Sequence, residues 1–341
     1  RTGFVAIFGN LAVAGIAFWI SQKHGAVDAE GGSMTSDRES QLKITPRRSI
    51  LISIGLVGFF SLAYEILWTR VLLLFLGNTT YAFSLMLSAY LVGIALGGML
   101  YAKLVRPGMD EKKIFKLLAV GMAVTILATA PFYDQLAYLF QAAHETAGNN
   151  WLLLSWLNFL IVFMVISIPT ILSGALLPAA VAIVDPGKRN TGIGVGLVVL
   201  HNTLGAVLGS LLAGFVLIPL VGLLHSFQLL ACLNLVLVLV LTVHYRSETA
   251  PGKLVPALLA AGLVLIFIPG QWNPHLINSG VYCYAQKYAK MGGMDHILAN
   301  EKVLEVIEGS ESTVAVHESL DGRIRFFSVN GKTDGGTGPD M

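Results

Sequence analysis

The chain has 341 residues, of which 55% are hydrophobic and only 12% charged, with a mean hydropathy of +0.72; soluble domains carry roughly 25% charged residues. That composition excludes an ordinary soluble enzyme and predicts an integral membrane protein. A net charge of +2, with the basic residues in short clusters between apolar runs, excludes a nucleic-acid partner. Cys232 and Cys283 supply neither a disulfide framework nor a Cys-x-x-Cys spacing.

A hydrocarbon core about 30 Å thick needs about 20 helical residues, and eight stretches qualify in chain order: 4–20, 50–76, 80–105, 114–140, 151–184, 193–219, 224–245 and 254–270. The first, FVAIFGNLAVAGIAFWI, is echoed by QLLACLNLVLVLVLTVH at 228–244, with Asn10 matching Asn234. The echo suggests that the chain enters partway through one repeat and then runs through a second, so residue 1 is expected not to be the natural start. A polar linker, 21–49, follows. The fifth stretch is long for one straight helix and contains Pro169 and Pro178; a break near SIPTILSGALLP is expected, since each proline removes an amide donor.

Lys and Arg are dense in 21–48 (Lys23, Arg38, Lys43, Arg47, Arg48) and in 103–116 (Lys103, Arg106, Lys112, Lys113, Lys116), with further basic residues near Lys188 and Arg246. The alternating loops 77–80, 141–150 and 220–224 contain none. The positive-inside rule makes the basic set cytoplasmic, and eight spans then put everything after residue 270 on the extracytoplasmic side.

Several features inside the spans ask for a role. Gly93 and Gly97 are four apart, as are Gly205 and Gly209, with Ala213 continuing the stripe. These are small-xxx-small faces for close helix packing, within the bundle or across a dimer. Glu65 and Arg70 interrupt the apolar LAYEILWTR. Five residues apart, they point about 140° away from each other on a helix, so each needs its own partner. An intramembrane charge costs about 2.5–3.5 kcal/mol on insertion scales, which a structural bond or a proton or substrate relay has to justify. His201 and Asn202 sit in LHNTLGAVLG with no second histidine at ligand spacing, so a hydrogen bond between helices is expected rather than a metal site. TGIGVG (191–196) imitates a nucleotide loop, but it enters a membrane helix instead of following a strand.

From residue 271 the chain turns polar and aromatic. VLEVIEGSESTVAVHE alternates in the period of one half-buried strand, SLDG supplies a turn, RIRFFSVNG a second strand, and Asn330-Gly331 a tight-turn signal. KTDGGTGPDM reads only as a glycine-rich end. The expected architecture is a membrane all-α bundle of about eight spans followed by a small antiparallel β unit at 271–341. So small a unit has to pack on the bundle, a partner or another domain.

The residues LAYEILWTRVLLLFLGNTTYAFSLMLSAYLVGIALGG (62–98), IPTILSGALLP (168–178), NTLGAVLGSLLAGFVLIPLVG (202–222), NPHLINSGVYCYA (273–285) and STVAVHE with SVNGKTDGGTGPDM resemble bacterial multi-spanning proteins in which a transporter-like membrane region is fused to a spermidine synthase-like domain. The resemblance implies a bacterial cytoplasmic membrane protein whose membrane region is major-facilitator-like, in agreement with the repeat. It also implies an aminopropyltransferase-like tail that would use decarboxylated S-adenosylmethionine, of which these residues hold only the amino-terminal β unit, without the Rossmann-like catalytic domain. Asn330 and Gly331 look like the Asp-Gly turn of the soluble synthases, and Asp334 falls where their cofactor-contacting glutamine is expected. No catalytic residue and no metal ligand is assigned. Aminopropyl transfer needs a carboxylate within reach of the attacking amine and a pocket for the sulfonium, which 271–341 cannot assemble alone. The other readings are a non-catalytic subunit of a larger membrane assembly or homo-oligomer, and a transporter-like module for a small polar or cationic solute. The bilayer is the one partner common to all three.

Overall fold

Among the described residues six helices are long and apolar enough to cross a bilayer, and a polar tail built of short helices and a four-stranded sheet follows them. The computed structural model describes residues 48–106, 108–185, 191–244, 254–266 and 270–338. The expected span at 4–20, its repeat relationship and the linker up to residue 47 lie outside these residues.

The bundle begins with α1 (Arg48–Leu76), α2 (Thr80–Leu104), α3 (Glu111–Thr129) and, after a 3-10 turn at Ala130–Gln135, α4 (Leu136–Ala147). It continues with α5 (Trp151–Val184), α6 (Thr191–Leu212), a π turn at Ala213–Leu217, α7 (Ile218–Val221), α8 (Leu223–His244) and α9 (Leu254–Ile266). Several starts are written in the sequence as side-chain caps. Thr79 accepts from the Ala82 amide, Asp110 from Lys112 and Lys113, and Asn150 from Leu153. Three expectations change. The third span runs Glu111–Ala147 through the 3-10 turn, so most of the expected loop 141–150 is helix. Of the last apolar stretch the described residues form a helix of 13 residues, Leu254–Ile266, about 20 Å of a span, so the described residues give six membrane-length helices where seven of the eight expected spans fall.

The third change concerns α5, which is one continuous helix of 34 residues with both prolines inside it. Pro169 and Pro178 cost one amide bond each, whereas a true break in lipid strands several backbone groups at several kcal/mol apiece. Thr170 Oγ1 donates to the Ile166 and Ser167 carbonyls at 2.7 and 3.0 Å, and α2 lies hard against the same stretch.

That close approach comes from glycine. A Cβ added at Gly93 would overlap the Thr170 side chain, at Gly97 the Ile171 carbonyl, and at Gly174 the Ile94 backbone. The α1–α6 seam is built the same way: Gly205 lies on the Gly55 carbonyl, Gly209 on that of Phe59, and Gly58 on that of Asn202. Backbone therefore packs on backbone in both seams, within one chain. Elsewhere the bundle is filled by aromatics, with Phe75 stacked on Phe140 at 5.7 Å between ring centroids and Trp68 Nε1 donating to the Tyr133 hydroxyl at 3.1 Å.

The tail opens with α10 (Pro274–Ile277), α11 (Val281–Lys290) and α12 (Met294–Leu298), and then forms an antiparallel meander in the order β1 (Glu301–Glu308), β2 (Thr313–Ser319), β3 (Arg325–Val329), β4 (Lys332–Gly336). The single strand expected over VLEVIEGSESTVAVHE is a hairpin instead, turning at Gly309–Ser312 so that Glu308 pairs with Thr313. KTDGG is a strand, not a loose end. The β3–β4 connection is the two-residue turn Asn330-Gly331, with φ of 49° and 81°, the pair of positive angles that a type I′ hairpin requires.

Candidate functional site

The tail is fastened to the bundle by polar groups. Arg70 lies six residues before the end of α1, and its guanidinium donates to the Gly309 carbonyl at 2.9 Å and to the Glu311 carbonyl, both in the β1–β2 turn. Glu308, the last residue of β1, accepts from the Leu223 amide at 2.7 Å. It thereby caps α8 just after Gly222, whose φ of 81° ends α7. Burial pushes the Glu308 carboxyl up from its ordinary range, against the opposing pull of the Leu223 amide, Arg70 and His225. Around this clasp, Trp272 Nε1 donates to the Ala130 carbonyl (2.9 Å), the Asn273 amide to Asp134 (2.8 Å), Gln141 to the Ala285 carbonyl (3.0 Å) and the Tyr138 hydroxyl to Asp295 (2.6 Å). Arg70 is thus a structural bridge to residues about 240 positions away.

Beyond the clasp, α11 and the inner face of the sheet enclose a cleft of about 460 Å³. The two meet where Gly280 and Gly331 touch backbone to backbone; a Cβ on Gly280 would overlap the Gly331 carbonyl. Asn330 holds the turn from below, its amide donating to the Thr313 carbonyl (2.8 Å) and its Oδ1 accepting from the Thr313 amide (2.9 Å). Gly331 and Asp334 line the cleft, whereas Asn330 supports its wall.

Sequence reasoning did not find the other groups. His317 and Ser328 are cross-strand neighbours of the inner face, with His317 Nε2 2.9 Å from Ser328 Oγ and Nδ1 3.6 Å from Glu301. The imidazole stacks on Phe326 at 4.7 Å. Carboxylate, imidazole and hydroxyl stand in the order of a proton relay, but Ser328 is 1% exposed, which suits an internal strut better than a nucleophile. His275 faces the same carboxylate; burial holds its pKa below the ordinary range, while Glu301 pulls it up and His317 pushes it down. The Tyr288 hydroxyl donates to the Ser279 carbonyl, and burial together with the Glu301 charge keeps that phenol protonated. Three buried polar atoms of cleft residues have no hydrogen-bond partner among the described residues: Asn278 Oδ1, Ser279 Oγ and His317 Nδ1. Two carboxylates, Glu301 and Asp334, face one cation, Lys287, and the walls carry the rings of Tyr284, Tyr288 and Phe326. The cleft is therefore rich in acceptors. Long-range pairing alone assembles it, so no local pattern announced it.

The remaining candidates stay inside the bundle. Glu65 faces the Tyr90 hydroxyl of α2. One turn back on the same face of α1, Ser61 Oγ is 3.1 Å from that hydroxyl and 2.8 Å from Ser173 Oγ of α5. His201 does not bridge helices: its Nδ1 lies 2.9 Å from the Leu197 carbonyl of its own helix. A bond one turn back satisfies the ring without a partner, because that carbonyl lies on the same helix face. Asn202 packs its backbone and Oδ1 against Gly58. TGIGVG forms the first turns of α6, and no group of three His, Cys, Asp or Glu side chains among the described residues is arranged to hold a metal ion. No protein-family model, curated protein or solved structure matches the chain.

Proposed function

We propose that the chain is the membrane-held part of a spermidine synthase-like fusion of the bacterial cytoplasmic membrane, in which the bundle carries a tail that binds a cationic amine. The acceptor-rich cleft is the observation that carries this reading. An alkylammonium brings several N–H donors to Glu301 and Asp334, and aromatic walls favour a cation and its methylene chain. Binding is the role assigned. Among the described residues of the tail no glycine-rich loop leads from a strand into a helix to hold an adenosyl group, so aminopropyl transfer would need a catalytic domain and decarboxylated S-adenosylmethionine from outside these residues.

Sidedness follows from charge. The tail is clasped to the end of the bundle that carries 77–79, 148–150 and Gly222, all without Lys or Arg, and the cluster Lys103–Lys116 lies at the other end. The positive-inside rule favours an extracytoplasmic tail. Titration of the detergent-solubilised chain with putrescine and spermidine tests the reading. Saturable binding is expected, weakened about tenfold or more, or about 1.4 kcal/mol, by Asp334→Asn with Glu301→Gln. No saturation at millimolar amine overturns it.

A second reading, a non-catalytic subunit of a larger assembly, is favoured by the outward faces. Leu304, Ile307 and Phe327 are exposed on the outer side of the sheet, and α6 turns Leu204, Leu208 and Leu211 away from the bundle. Stoichiometric partners retained in mild detergent support it; a clean monomer counts against it.

A further inference from the structure

Glu65 is the one carboxylate in the middle of α1, and its surroundings are unusual for a charge. Ser61 and Glu65 are four residues apart and share one helix face. Ser61 Oγ touches both Tyr90 of α2 and Ser173 of α5, and the Tyr90 hydroxyl also reaches the Ser61 carbonyl at 3.3 Å. Three helices therefore bring oxygens to one point: two serine hydroxyls, one phenol, a carbonyl and the carboxyl of Glu65. Among the described residues no cation is paired with Glu65. Arg70 is committed to the β1–β2 turn and His201 to the Leu197 carbonyl. Tyr90 is the titratable group that faces Glu65 from α2, and α5 contributes Ser173, which is neutral.

We propose that Glu65, Ser61, Tyr90 and Ser173 form a binding site for a small monovalent cation, a proton or a sodium ion, inside the helix bundle. The inference rests on α1, α2 and α5 being membrane spans, not on the amine cleft. A bare carboxylate inside the hydrocarbon core is costly, and a bound cation removes that cost. Hydroxyls are the partners such a site needs, because each can turn a lone pair toward a metal ion or a proton toward a carboxylate. Hard cations prefer an all-oxygen set. The packing fixes the geometry: Gly93 and Gly97, on the helix that carries Tyr90, draw α2 onto α5.

The chain reconstituted in lipid nanodiscs provides the test. Infrared spectra in sodium-free choline buffer report the carbonyl stretch of a protonated carboxylic acid, and thermal melts against sodium chloride, with choline chloride as control, report a metal ion. For a proton, a carboxylic-acid band is present at neutral pH, is lost in Glu65→Gln, and is shifted in Ser173→Ala, a substitution that leaves a small residue in the helix. For sodium, the melting temperature rises with sodium and not with choline, and Glu65→Gln and Ser173→Ala each reduce the rise. A Glu65-dependent band or a Glu65-dependent sodium shift supports the site and identifies its cation. With neither signal in a well-folded wild-type sample the proposal falls, whether or not the tail binds amines.

Discussion

The seam between α1 and α6 and the clasp between α1 and the tail sit on the same helix, yet they hold by opposite means. At the seam, glycine removes side chains so that Gly205 rests on the Gly55 carbonyl and Gly209 on that of Phe59. Shape does all the work there and no charge is involved. At the clasp, Arg70 and Glu308 reach across with ionisable groups and hold the tail through a few directed bonds. A shape contact fails when one atom is added; a charge contact tolerates atoms but fails when a donor or acceptor is removed, and it answers to pH.

Adding atoms at the seam gives the largest expected effect. Gly205→Leu drives the helices apart and costs about 3 kcal/mol, the upper range of overpacking, seen as lost monodisperse protein and a lower melting temperature in detergent. Gly196→Ala, on the same helix with nothing within 4 Å of an added Cβ, should be neutral or stabilising by about 0.5–1 kcal/mol.

Arg70→Met comes next. It keeps the apolar stem and removes the charged donors to the Gly309 and Glu311 carbonyls, a loss of about 2 kcal/mol in tail docking. The bundle should stay folded while the amides of 301–319 exchange faster with deuterium. A uniform loss of protection would mean that Arg70 supports the bundle itself.

Glu308 sharpens the comparison through pH. Its carboxyl is raised in the docked state because burial outweighs the Leu223 amide and Arg70, so docking binds a proton more tightly than the free tail does. The Glu308 contribution is therefore complete below the free-carboxyl pKa and is lost as pH rises through the raised docked value. Tail amides should exchange faster, relative to bundle amides, across that window, and Glu308→Gln should flatten the difference while the bundle amides show none.

The smallest effect falls within the tail. Asn330→Ala loses both the positive-φ preference and the bond from the Thr313 amide, and should cost about 1–2 kcal/mol. Asn330→Gly, which keeps the angle, should recover part of it in a thermal melt.

What could be read from the sequence divides along the same line. Six of the apolar runs of membrane length, the glycine spacing and the Asn-Gly turn are local signals, and the corresponding elements lie at those positions. The partner of Arg70 could not be read, because it is the backbone of a turn far along the chain, which carries no pattern of its own. The β1–β2 hairpin was missed because alternation continues on both sides of Gly309–Ser312 and hides a four-residue turn. The expected break at Pro169 rested on the lost amides and could not include the seat that Gly93 and Gly97 of α2 give the continuous helix. Glu301, His317 and Ser328 come together only through strand register, and so the cleft emerged from the fold alone.

Arg70 grips main-chain oxygens, and main-chain oxygens are present whatever the residue. Over evolutionary time Ser310 and Glu311 are therefore free to drift without loosening the clasp, whereas position 70 is not. Lysine there would offer a single point charge in place of a planar fork that spans two carbonyls. Among related chains, the mark of this joint would be an arginine held constant opposite a turn whose own letters keep changing.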